Sequence, residues 1–358
     1  MMQSKMTKLL QIEHPIIQAP MAGGITTSSL VSSVSNAGGL GMIGAGYMSS
    51  SQIRDQIREV KQLTKKNFGI NLFIPSEFNV SESAILKANQ LLQPIKEQLN
   101  LKNISYKLPI VKNEWETFHE QLRVVIEEGV PVCSFTFGVP SKEVIKELKK
   151  HQITLIGTAT TAREAKIIED VGMDIIVVQG SEAGGHRGTF VGNPQDSSIG
   201  LISLIPQVVA EVNIPILAAG GIMDGKGLRA SICLGASGVQ MGTAFLTCLE
   251  SGAHNAHKQA ILKSKGDQTV LTRVYSGKWA RGIKNKFYSH LQEHEVTLPD
   301  FPIQNTLTST IRKAASMQNN PEYMSLWAGQ SASLAKNLSV EELMNQIIAE
   351  AKEVEKNL

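Results

Sequence analysis

Short apolar runs alternate with amphipathic stretches along most of the chain. The runs are PIIQA (15–19), LGMIG (40–44), FGINLF (68–73), PVCSFTF (131–137), ITLIG (153–157), DIIVV (174–178), PILAAG (215–220) and GVQMG (238–242). They are too short for ordinary helices and mostly continuous in apolar character, which fits strands covered on both faces. Between them, apolar positions recur at helical spacing. TSSLVSSVSNAGG ends on Gly38 and Gly39 as a C-cap. TAREAKIIEDVG opens with Thr161 and Glu164 at capping-box spacing and closes at Gly172. DGKGLRASICLG offers Asp224 as an N-cap, and LISLIPQVVAEV requires Pro206 to fall in its first turn or to kink it. Strands alternating with helices in this number predict an α/β fold, a (β/α)8 TIM barrel. A doubly wound open sheet is the alternative.

Two regions break the alternation. Residues 76–130 are too long and polar for one crossover and are expected to hold extra helices. Residues 250–338 follow the last strand and are expected to form a small, mostly helical insertion over one barrel mouth. SVEELMNQIIAEAKEVEKNL, with Ser339 and Glu342 as a capping box, would then be the closing barrel helix. The expected division is a barrel from 1–249 and 339–358, with a smaller substrate or lid subdomain at 250–338. GLGMIG (39–44) spells a dinucleotide fingerprint, but it follows a helix and its middle is itself a strand, so that function is set aside.

Composition changes the picture little. Aromatics are 5% against 42% hydrophobic residues overall, so an aliphatic core is expected. A net charge of +3, with scattered basic residues, argues against nucleic acid or a membrane surface as partner. Cys133, Cys233 and Cys248 have no metal-ligand spacing, so no metal is predicted and a reduced compartment is expected. MMQSKMTKLLQIEHP lacks a signal-peptide core, and no run is long enough to span a bilayer. These point to a cytoplasmic protein; oligomerisation is not legible.

The candidate chemistry stands at the C-terminal ends of the strands, where barrels place it. Strand six runs into QGSEAGGHRG, where Gly180, Gly184, Gly185 and Gly188 thin the backbone around His186. Glycine allows positive φ and close backbone approach. Gly220 and Gly221 follow strand seven; Gly242 and Thr243 follow strand eight, where TAFLTC can begin a short helix. These glycines either permit tight turns or bare backbone N–H groups for an anion, and the two pairs on adjacent strands favour phosphate. Asn71 and Gln179 at strand ends suit the polar edge of a heteroaromatic ring, or else satisfy loop backbone. The combination points to flavin mononucleotide.

HPIIQAPMAGG, GINLF, QGSEAGGHRG, PILAAGGI and VQMGTAFL closely resemble the nitronate monooxygenases, and SGKWARGIKN and LWAGQ are similar to that family's C-terminal segments. The resemblance covers residues 13 to 331. It implies an FMN-containing barrel that converts alkyl nitronates of the propionate 3-nitronate type, with O2, to a carbonyl compound and nitrite. It further implies cofactor contacts from Asn71, Gln179, Gly184, Gly185, Gly220, Gly221, Gln240, Met241, Gly242 and Thr243. Met21, Ala22 and Gly23 would back the ring, and His186 would be catalytic. The histidine could be a general base toward a neutral nitroalkane, or a cation that orients a preformed nitronate, and the resemblance to enzymes acting on propionate 3-nitronate favours the second. A flavin-dependent enoyl-acyl-carrier-protein reductase and an NAD(P)H:quinone reductase are the rival activities on the same barrel.

Overall fold

The computed structural model describes residues 4–101 and 114–357. Its strands are β1 (Ile16–Gln18), β2 (Gly41–Gly44), β3 (Phe68–Phe73), β4 (Val132–Thr136), β5 (Thr154–Ala159), β6 (Ile175–Gln179), β7 (Gly185–His186), β8 (Ile216–Ala219), β9 (Gly238–Met241), β10 (Thr269–Thr272) and β11 (Ala280–Ile283). An eight-stranded parallel sheet runs in the order β1-β9-β8-β6-β5-β4-β3-β2. Its ends meet through Ile17 and Leu40: Leu40 N donates to Ile16 O at 3.0 Å and Gln18 N to Leu40 O at 3.0 Å. The sheet is therefore closed, and the fold is a (β/α)8 barrel. Each apolar run forms one strand because closure buries both faces, the barrel interior and the helix-facing side.

Inside the barrel, Ile17, Met42, Val132, Ile156, Ile175, Val177 and Leu217 form one buried cluster capped by Met6 and Leu10. The larger cluster lies between strands and surrounding helices. Gly41 has no room for a side chain: a Cβ there would lie 2.0 Å from Val31 O. The glycines of GLGMIG thus serve strand and helix packing, in keeping with the rejected dinucleotide function.

The local signals resolve unevenly. Asp224 caps the helix Gly225–Cys233 by accepting from Gly227 N, and Ser339 and Glu342 form the capping box of the helix Val340–Asn357. Pro206 brings a correction to the first-turn alternative alone: it lies in the second turn of the helix Leu201–Glu211, where it removes the donor that Ile202 O would have taken. Glu164 is another. Thr161 caps as expected, but the Glu164 carboxylate turns into the interior and does not close a capping box.

The stretch 76–130 contains the helices Glu82–Gln98 and Glu114–Glu127. The first leaves the barrel and joins residues of 246–332 in a second apolar cluster, where Leu92 and Ile95 share a core with Phe287, Leu291, Ile311 and Tyr323. This layer carries the helices Asn255–Leu262, Lys286–Leu291 and Ile303–Met317. It also contains β10 and β11, an element the helical expectation missed. They pair antiparallel, and β11 then pairs with β7, so that Ala280 stands opposite His186 and Arg281 opposite Gly185. The glycine-rich loop after β6 is therefore a strand of this three-stranded sheet as much as a barrel loop.

Candidate active site

One cavity of about 660 Å³ opens at the C-terminal ends of the barrel strands. It gathers Met21, Ala22, Gly23, Asn71, Gln179, Gly184, Gly185, His186, Gly220, Gly221, Gln240, Gly242 and Thr243 on one surface. Met241 is the exception. Strand alternation turns its side chain into the barrel–helix core, where it is buried, while its neighbours Gln240 and Gly242 face the cavity.

The glycines divide by function. Gly23 (φ +88°) and Gly185 (φ +72°) adopt a backbone conformation that L-residues avoid, and a Cβ at either would meet nothing within 4 Å; both border open cavity. A Cβ at Gly242 would meet only Ala19, at 3.6 Å. Gly184 has a different reason to be glycine. A Cβ there would lie 2.5 Å from the backbone of Ala328 and Gly329, so it lets the LWAGQ segment lie against the loop. Gln330 N donates to Glu182 O and Gly329 N to the Thr243 hydroxyl, which fastens that segment to both loops. The helix after β9, Thr243–Leu246, is a single turn, so its macrodipole is too short to carry an anion site. Bare backbone is what this end of the cavity offers.

Asn71 donates to the Ser134 hydroxyl (2.8 Å) and the Thr136 hydroxyl (3.1 Å). Ser134 itself donates to Ile70 O, which fixes it as an acceptor for Asn71 and leaves the Asn71 carbonyl oxygen for the cavity. Gln179 is more occupied than the sequence suggested. It donates to His186 O (3.1 Å) and accepts from Gly188 N (2.8 Å), holding the histidine loop by its backbone at both ends.

Around that loop lies a polar knot. Glu164, fully buried, accepts from Thr160 N and its hydroxyl and from Phe190 N and Val191 N. Arg187, also buried, donates to Gln179 O, Gly180 O and Ser197 O. These contacts give Glu164 and the two terminal nitrogens of Arg187 fixed partners in place of water, and they set the backbone on each side of His186.

His186 Nε2 lies 2.8 Å from the Ser276 hydroxyl. When that hydroxyl gives its one proton to Lys278 O, it accepts from the histidine; when it gives the proton to Nε2, the histidine is the acceptor. In the first arrangement the imidazole carries its proton on Nε2 and keeps the Nδ1 lone pair free. Burial, with the nearby charges of Lys278 and Arg312, pulls its pKa down to about 3, so the ring is neutral. Phe137, Phe301 and Trp327 surround it with ring centroids 6.0, 6.3 and 5.4 Å away. A second neutral imidazole, His257, donates from Nε2 to Trp327 O at 2.9 Å; burial pulls its pKa down to about 4. Trp327 is thus held between the two histidines.

The profile of the nitronate monooxygenase family matches residues 3–350. The chain belongs to that family. Relatives named "Probable nitronate monooxygenase" from Staphylococcus haemolyticus and Staphylococcus aureus are 49% and 50% identical over 352 residues; the alignments cover 98% and 96% of this chain and 97% of each relative. A nitroalkane oxidase from Streptomyces ansochromogenes superposes with a TM-score of 0.91 at 37% identity, covering 99% of both chains. FabK from Thermotoga maritima superposes with a TM-score of 0.78 at 32% identity, covering 100% of this chain and 98% of its own. The protein is accordingly an oxidoreductase of the nitronate monooxygenase family.

In this nitronate monooxygenase-family barrel, several cavity residues escaped the sequence reasoning. Ser134 and Thr136 stand at alternate positions of β4, a spacing that could have marked them as facing one side. Tyr47, Arg312, Trp327 and Ser331 also line the cavity, and Ser276 reaches it through His186. Ser276 and Trp327 lie in SGKWARGIKN and LWAGQ, the segments similar to the family's, while nothing in the local sequence distinguishes Tyr47, Arg312 and Ser331. Tyr323, by contrast, is buried away from the cavity and bonds Gln98. Among the described residues no cluster has metal-ligating composition, and no helix is long and apolar enough to cross a membrane.

Proposed function

We propose that the cavity holds FMN and that the enzyme carries out oxidative denitrification of alkyl nitronates, of the propionate 3-nitronate type, to a carbonyl compound and nitrite. The single observation that carries this is the meeting, in one cavity, of a side-chain-free cradle with a neutral histidine held at Nε2 by Ser276. The residues fit a flavin. Gly23 and Gly185 leave space that any side chain would fill, the Asn71 carbonyl and the remaining hydrogen-bonding capacity of Gln179 suit a ring edge, and Gly220, Gly221, Gly242 and Ser331 offer backbone and hydroxyl to a phosphate. The volume lies within the range of cofactor pockets, about 300–1,000 Å³.

FMN, when bound, accepts electrons from the nitronate and passes them to O2. The chain contributes position and proton control. His186 Nδ1 takes the α-proton of a neutral nitroalkane, and Ser276 keeps the tautomer that makes this possible. A preformed nitronate needs no base; Arg312 on the cavity wall then offers an anionic substrate a permanent positive charge. The neutral state of His186 favours the base function over a permanent imidazolium.

The test is to purify the protein, measure FMN bound per chain after reconstitution, and follow nitrite release from propionate 3-nitronate in air. Stoichiometric FMN with nitrite release is expected. Absence of FMN uptake would sink the cofactor assignment; a flavoprotein that yields no nitrite but oxidises NADH would favour the reductase activities.

A further inference from the structure

Among the described residues, the cavity wall contains no aspartate, glutamate or lysine. Its one permanent charge is Arg312, on the lid helix Ile303–Met317. This guanidinium forms no ion pair among the described residues. Its Nε donates to the Thr308 hydroxyl (3.1 Å), and one terminal nitrogen donates to Asn305 O (2.9 Å) and Asn305 Oδ1 (2.7 Å). All three acceptors lie on its own helix, toward its N-terminus, the direction in which helical side chains lean. Thr308 is itself held by Tyr275 O. The other terminal nitrogen, Nη1, has no hydrogen-bond partner among the described residues. Two edges of the planar fork are thus fixed, and the third is left for something in the cavity.

Burial without a counter-charge is costly for a cation, and the cost is relieved when a bound anion supplies the missing charge. The neighbours offer none: Tyr47 and Tyr275 are phenols whose pKa values burial pushes up, so both stay neutral. Arg312 lines the cavity from the helix Ile303–Met317, as His186 lines it from β7, and its charge is one of the causes that hold the His186 pKa down. The glycine cradle needs no arginine.

We propose that Arg312 is the specificity-determining residue of this site: it receives a carboxylate carried at the far end of the nitronate, and so selects carboxyalkyl nitronates over plain alkyl nitronates. The inference rests on the nitronate activity proposed above and deepens it. A carboxylate meets a guanidinium edge with charge-assisted hydrogen bonds, and an arginine fixed in advance loses little freedom on binding it.

The experiment compares kcat/KM for propionate 3-nitronate and propyl-1-nitronate in wild type, Arg312→Gln and Arg312→Lys. It also measures binding of succinate, in which a second carboxylate replaces the nitronate, by equilibrium titration. Loss of a charge-assisted contact is worth about ten- to a hundred-fold. Arg312→Gln should therefore lower the propionate-to-propyl preference by about that factor, through KM more than kcat, and weaken succinate to a similar degree. Arg312→Lys should restore part of both, and it carries the test if the glutamine variant does not fold. An unchanged preference, or equal losses on both nitronates with succinate binding intact, would overturn the proposal. If wild type oxidises neither nitronate, the nitronate activity itself has failed. Succinate binding then decides Arg312 separately, its loss in Arg312→Gln supporting the anion site and its persistence refuting it.

Discussion

The strand-end wall and the lid wall of the cavity are built in opposite ways. On the strand side the surface is largely backbone: Gly23, Gly185, Gly220, Gly221 and Gly242 expose peptide groups and leave space where side chains would stand. On the lid side it is side chain: Trp327 and Arg312 line the cavity, and Phe301 and Ser276 reach it through their contacts with His186. His186 belongs to both, since its strand β7 follows β6 yet pairs with β11 of the lid. The difference teaches where each task resides. A cradle for a large flat cofactor is made by removing atoms from rigid strand ends, whereas selection and proton control need particular groups held at particular angles.

The comparison can be broken first at the shared residue. His186→Gln should lower turnover of a neutral nitroalkane by about 10²–10⁴-fold, the usual worth of a general base, and affect a preformed nitronate far less. Steady-state rates on nitroethane and ethyl nitronate measure this, and equal losses on both would remove the base function. Next comes the cradle. Gly242 has ordinary φ (−102°) and room toward the protein, so Gly242→Val should fold normally while filling the cavity. FMN affinity should fall by roughly a hundred-fold or more, as loss of about 2.7 kcal/mol implies. Titration of the apoprotein beside its melting curve checks this, and full affinity would show that the phosphate lies elsewhere.

The support of the histidine loop gives a structural effect. Glu164→Gln replaces one accepting oxygen by a donor, orphaning one of two donor pairs, and should cost about 2–6 kcal/mol at roughly 1–3 per unsatisfied group. Denaturant melts measure it; a loss below about 0.5 kcal/mol would mean the loop is held by other contacts. Acid stability offers a further check. His186 and His257 have folded pKa values of about 3 and about 4, below the value near 6.5 expected unfolded. The unfolded chain therefore binds more protons between these limits, and stability must fall as pH drops from about 6.5 toward 4. The His257→Gln variant, melted across this range, should show a shallower fall than wild type; parallel curves would mean that His257 titrates normally in the folded state.

What the sequence made legible follows the same division. All eight barrel strands could be read, because each is a continuous apolar run bounded by turns or caps. The strand-end residues could be read because they directly follow those runs, Met241 failing only where alternation reverses its side. The lid could not be read in this way. Arg312 lies 126 positions from His186 in the chain, on an amphipathic helix like any other, and β11 declares itself only by pairing with β7. Glu164 looked like half of a capping box; burial in the loop knot outcompeted the local bond.

The most direct measurement of the central claim is the anaerobic absorbance of the FMN-loaded enzyme mixed with propionate 3-nitronate, and separately with NADH. Bleaching of the flavin by the nitronate alone, followed by nitrite release when oxygen is admitted, is the result this account predicts. Bleaching by NADH with no response to the nitronate would contradict it.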